Sequence, residues 1–198
     1  MKREKDQKRR RKPITESSLR NAALRYLEQY ASGSENLRRV LLRRVAKARM
    51  QNDDADANDD TDADRAPDAE AWIDTIIERF QCTGVLDDAA FAEAQVQTLH
   101  RRGVSAKGAR YRLSAKGVGS DDIDAALGSL ESLGENDKSA ACNYARRRRI
   151  GPWRRANRKD NRDRDLAALG RQGFTYQIAR LVIDSPDVGS LEIDEDQT

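Results

Sequence analysis

At 198 residues the chain is long enough to bury a sizeable core, yet only 37% of it is hydrophobic and 5% aromatic while 36% is charged, which predicts a helical protein with much surface. No apolar run approaches the roughly 18 to 20 residues that cross a bilayer, and the basic start lacks the apolar segment of a secretory signal, so a cytoplasmic chain with no membrane partner is expected. Cys82 and Cys142 lie far apart with no CxxC spacing or histidine partner, which points away from a disulfide framework or a zinc site and predicts buried free thiols.

The net charge of +3 averages opposed segments. Met1 to Lys12 carries 8 basic and 2 acidic residues, Asp53 to Glu70 carries 1 and 9, and Asp187 to Thr198 carries 0 and 5. The rest of the chain is therefore cationic and suits a polyanionic partner.

In chain order, residues 1–14 have no apolar periodicity and predict a disordered basic arm. Thr15 caps a helix whose Leu19, Ala22, Ala23, Tyr26 and Leu27 share a face, ending near Ser32, Gly33 and Ser34. In the helix that follows, Leu37, Val40, Leu41 and Val45 make a core stripe, while Arg39, Arg43 and Lys47 recur every four residues on another face. That stripe reads either as a surface for an anion or as a plain solvated face. Residues 51–67 are almost wholly Asp, Ala and Asn and predict a disordered acidic insertion; they lack the glycine and terminal glutamate of a calcium-binding EF-hand loop. After Asp68, Trp72, Ile73, Ile76, Ile77 and Phe80 form a strongly apolar helix that closes at Gly84.

The stretch from Leu86 to Leu127 predicts a complete three-helix unit. Its first helix is capped by the Asp87 and Asp88 pair, turns Ala92, Val96 and Leu99 inward and stops at Gly103; the second is capped by Ser105, buries Ala106, Ala109 and Leu113 and stops at Gly117. Ser120 caps the third, with Ile123, Ala126, Leu127 and Leu130 as its stripe. A last group begins near Glu135, with Ala141, Tyr144 and Ala145 inward, then RRRRIGPWRR, a helix over 162–171 and a final helix in FTYQIARLVIDS. Leu113, Gly117, Val118, Ile123 and Leu127 correspond to Leu169, Gly173, Phe174, Ile178 and Val182 at a period of about 56 residues, which predicts tandem repetition.

The expected fold is thus all-α: an extended, curved array of three tandem three-helix repeats over 15–84, 85–132 and 133–185, with a disordered acidic tail at 186–198. The repeats satisfy one another's apolar faces, so a monomer is expected.

The segments ALRYLEQYASGSENLRRVLLRRV, GVLDDAAFAEAQVQTLHRRGVSAKGARYRLSAKGV, and RRRRIGPWR with GRQGFTYQIARLVI, in that order and spacing, resemble the RecX family of bacterial regulators of the recombinase RecA, over roughly residues 15 to 185. The resemblance implies the family's array of three-helix repeats. It further implies binding along the RecA nucleoprotein filament, usually inhibiting it, in the regulation of homologous recombination, DNA repair and the SOS response. The acidic insertion and tail depart from the pattern.

The residues offer little catalytic chemistry, and no cofactor is expected. His100 is the single histidine and sits at a basic helix end, where the helix dipole favours it. Asp87 and Asp88 are adjacent, point in different directions on a helix and suit capping better than a two-metal site. No GxxxxGK[ST] or GxGxxG loop is present.

Exposed arginine recurs instead. Arg39, Arg43, Arg44, Arg101, Arg102, Lys107, Arg110, Arg146, Arg147, Arg148, Arg149, Arg154 and Arg155 place positive charge in every repeat as candidates for phosphate or acidic protein surfaces. Tyr111 and Trp153 lie among them and read either as base-stacking residues or as packing between repeats. The expected function is a non-enzymatic regulator that binds the RecA filament on DNA. The alternative is a stand-alone helical protein that binds single- or double-stranded DNA directly.

Overall fold

A computed structural model describes residues 14–53 and 68–192; most of the arm, the insertion after Asp53 and the end of the acidic tail lie outside the described residues. Among the described residues every regular element is helical, and no helix is long and apolar enough to cross a membrane. The chain divides into two compact units, Met1–Leu86 and Asp87–Thr198.

The first unit contains α1 (Glu16–Gln29), α2 (Ser34–Asp53) and α3 (Ala69–Cys82). Thr15 and Ser18 form a reciprocal capping box that satisfies two amides at the start of α1. Leu19 and Ala23 of α1, Leu37, Leu41 and Val45 of α2, and Ile73, Ile76, Ile77 and Phe80 of α3 bury one core, and Tyr26, Leu27 and Trp72 pack on its edge. Val40 is only half-buried and lies outside that cluster. Asn36 ties α1 to α2 by donating to the Tyr26 hydroxyl at 3.0 Å and to Ser32 Oγ at 2.8 Å. α2 continues to Asp53, past the point where the sequence predicts the acidic insertion to begin, because Met50 to Asn52 still propagate helix without Gly or Pro. Cys82 is exposed, against expectation, since it falls two residues beyond Phe80 and on the far side of the helix; Cys142 is half-buried.

The second unit holds two cores. α4 (Asp88–Arg101), α5 (Ala106–Ala115) and α6 (Ser120–Ser132) enclose Ala92, Val96, Leu113, Val118, Ile123 and Ala126. α7 (Asp137–Arg148), the 3-10 turn Gly151–Trp153, α8 (Arg162–Gly170) and α9 (Tyr176–Asp184) enclose Ala140, Ala141, Ala145, Leu169, Phe174 and Val182. Asp87 accepts the Ala90 amide at 2.8 Å and Ser105 the Gly108 amide at 3.0 Å, as their positions predict. Ser120 does not cap α6: the cap residue is Gly119, and the Ser120 hydroxyl donates to Asp121. The acidic residues Asp121 and Asp122 in the first turn complement the amides there instead.

The repeat is physical as well as sequential. Gly117 and Gly173 both adopt positive φ (83° and 94°), and the next residue turns back so that its amide meets the carbonyl five residues earlier: Val118 to Leu113 at 3.1 Å, Phe174 to Leu169 at 3.4 Å. The same closure recurs from Ile150 to Ala145 at 3.0 Å, but there the left-handed position is filled by Arg149 with φ 56°.

The chain stays folded beyond the expected start of the tail. Asp187 accepts the Ser190 amide at 2.8 Å, α10 (Gly189–Glu192) follows, and Leu191 is buried in the last core. Leu191, the Asp187 cap and the Arg158 bonds to the Ser185 and Pro186 carbonyls together hold that segment down.

Candidate nucleic-acid interface

Two runs of the second unit contain no acid at all. Residues 94–120 carry six Lys and Arg, and residues 138–159 carry nine. The fold brings these runs together where Gly103, at the end of α4, rests against α7: a β-carbon on Gly103 would lie 2.5 Å from the Tyr144 backbone nitrogen. Only glycine permits that approach. Arg147 donates to the Arg102 carbonyl at 3.0 Å across the joint, and the Arg148 guanidinium lies 5.9 Å from the Tyr144 ring centre. Arg101, Arg102, Arg146, Arg147, Arg148 and Arg149 are all exposed, so the joint is flanked by cations from the ends of two helices.

A second face lies along α5. Lys107, Arg110 and Tyr111 are exposed on it, Tyr111 at 77%, the most of any large hydrophobic side chain among the described residues. Arg110 forms an ion pair with Asp124 of α6. Two further exposed cations of this segment were not singled out from the sequence and lie on another side of it: Arg112, which donates to Gln172 Oε1 at 3.0 Å, and Lys116, over the Phe91 ring at 5.9 Å. The acid-free run was the signal for them.

In the first unit, Arg39, Arg43 and Arg44 are exposed on α2. The stripe is not purely cationic as read from sequence, because Glu35 pairs with Arg39 at 3.1 Å one turn earlier, and Arg43 bonds the Arg39 carbonyl at 3.2 Å.

Arg154 is a correction. Its guanidinium grips Asp165 with two bonds, 3.1 and 2.6 Å, and Asp165 is 2% exposed and also accepts the Gly151 amide at 3.1 Å. That bond holds Arg154 above its ordinary range, against the cost of burial. Arg154 therefore stabilises the turn after α7, whereas its neighbour Arg155 is exposed. Trp153 packs on the last core.

His100 also has a more specific place than a helix end. Its ring is buried and joins α4 to the start of α7, with Nε2 at 3.1 Å from the Asn136 carbonyl and 3.0 Å from Ser139 Oγ, and Nδ1 at 3.4 Å from Glu135. Two structural arginines escaped the sequence reading because their partners are far along the chain. Arg158 donates to carbonyls of Ile183, Ser185 and Pro186 and so closes the end of α9, and Arg162 forks onto Asp184 at 2.7 Å.

A chain whose described elements are all helical and whose successive cores are three-helix groups defines the class as a helical-repeat protein. The comparisons sharpen it. Residues 87–127 match the family model described as RecX, second three-helix domain. Regulatory protein RecX of Myxococcus xanthus is 36% identical over 187 residues, 93% of each chain, and that of Agrobacterium fabrum is 36% identical over 99 residues, 50% of this chain and 51% of its own. A crystal structure of regulatory protein RecX shares the fold with a TM-score of 0.54 at 19% identity, covering 86% of this chain and 72% of that one. The chain belongs to the RecX family and has a RecX-type regulatory role.

Proposed function

We propose that the protein regulates RecA by binding the RecA filament on DNA and hindering its growth and ATP turnover, acting by contact and without catalysis of its own. The observation that supports this reading is the convergence of two acid-free runs at the Gly103–Tyr144 joint, where α4 and α7 both end in exposed arginines. Forked guanidinium groups suit phosphate backbones and acidic protein faces alike. The three cores act as three repeats in this reading, each contributing exposed cations, and the active form is a cytoplasmic monomer. The test is the DNA-dependent ATPase rate of RecA with this protein added substoichiometrically and DNA in excess. Inhibition well below one protein per RecA protomer is expected; no effect at equimolar protein would overturn the proposal.

The exposure of Tyr111 beside Lys107 and Arg110 supports a second reading, direct binding to bare DNA without RecA. It predicts affinity that falls steeply with salt in the absence of RecA.

A further inference from the structure

Another stretch of the second unit has the reverse chemistry. Residues 117–137 contain six acids and no Lys or Arg. Against this edge lies a groove of about 470 Å³, open to solvent and lined by α4, α5, α6, the start of α7 and α9. Its floor is apolar: Val96 and Ala109 are buried, and Leu127, Leu130 and Ile178 are half-buried with part of each side chain left open. Its rim carries Glu131, Glu135 and Asp137 against one cation, Lys138. Asp137 also accepts the Ala106 amide at 2.7 Å and Glu135 approaches His100, so the rim is anchored to two helices and stays in place without an occupant.

We propose that this groove is a docking site for a basic amphipathic helix of a protein partner. Charge complementarity chooses that occupant: an acidic rim repels nucleic acid and attracts Lys and Arg, while the apolar floor favours a Leu-sized side chain between them. Apolar contact on Leu127, Leu130 and Ile178 supplies affinity, and Glu131, Glu135 and Asp137 set orientation. The protein then has two unlike surfaces in one unit, cationic at the ends of α4 and α7 and anionic along α6.

The full chain, titrated with a synthetic helical peptide of leucine, alanine and lysine about four turns long, tests this by amide chemical-shift mapping. Shifts centred on Leu127, Leu130 and Ile178 are expected. Replacing the peptide's leucines by serine should abolish binding, and Glu131→Lys, on an exposed side chain, should weaken it about tenfold. Equal binding of the serine peptide, shifts confined to other helices, or no shifts at all would each overturn the proposal. Because neither RecA nor DNA is present, this outcome and that of the ATPase experiment are independent.

Discussion

At the scale of single residues, buried charge and backbone strain make the firmest predictions. Asp165 is a carboxylate at 2% exposure whose principal neutralising partner is Arg154. Arg154→Ala strands that charge and should lower unfolding free energy by about 3 to 5 kcal/mol, whereas exchanging both residues for apolar ones of similar volume should restore much of the loss. Urea denaturation of the two variants measures the difference. Arg149 makes the opposite case. Its left-handed backbone costs an L-residue about 1 to 2 kcal/mol, which glycine avoids at equivalent turns. Arg149→Gly should therefore raise the unfolding midpoint slightly while removing one exposed cation. The Arg162 fork, outweighing partial burial, holds the Asp184 carboxyl below its ordinary value of 3.8. A depressed folded pKa contributes stability that is present above the unfolded value and lost as pH falls through the folded one. Wild type and Asp184→Asn should differ in stability at neutral pH and converge under acid; a constant difference down to the acid limb would refute the pairing.

At the scale of elements, glycines divide into those that allow contact and those that merely interrupt a helix. A β-carbon on Gly108 would sit 2.5 Å from the Gln172 carbonyl, and one on Gly173 would sit 2.5 Å from Ser105 Oγ. Here α5 presses its first turn against the turn between α8 and α9, and Ser105 donates to the Gln172 carbonyl at 3.0 Å. Gly108→Ala should separate the two cores and lower the unfolding midpoint by several degrees for each kcal/mol of stability removed. Gly128, in α6 with nothing within 4 Å, is the control: Gly128→Ala should stabilise by about 0.5 to 1 kcal/mol. The helices themselves were legible because caps and stripes are local: Thr15, Asp87, Ser105 and the Leu113 and Leu169 turns lie where their spacing places them. The misplaced Ser120 cap and the two unforeseen arginine clamps were not legible. A cap depends on one residue's backbone torsion, and a clamp joins positions that only the folded chain brings near.

At the scale of the whole molecule, affinity for a polyanion should depend on how many cations face it. Arg101→Ala/Arg102→Ala, at the joint, should weaken DNA binding and reduce the slope of log affinity against log salt by about 2, roughly one for each phosphate left without its arginine. Arg154→Lys should leave that slope unchanged, since its guanidinium faces Asp165. Equal slopes for wild type and the double variant would remove the joint from the interface. Peptide docking in the groove beside α6 should not fall in either variant, because its rim carries the opposite charge and none of these arginines lines it.

Sequence alone determined the helical class, the period of about 56 residues, the position of most helix ends and the family resemblance, because these rest on local torsions and on apolar spacing. It also showed that the cations recur. Which of them share a surface was decided only by tertiary structure. Glycine contacts set Gly103 on Tyr144 and Gly108 on Gln172, and the first of these brings Arg102 and Arg147 together. The same folding turned Arg154 inward and left an acid-rimmed groove beside α6. Arginine residues look alike along a sequence; their direction depends on what the backbone packs beside them.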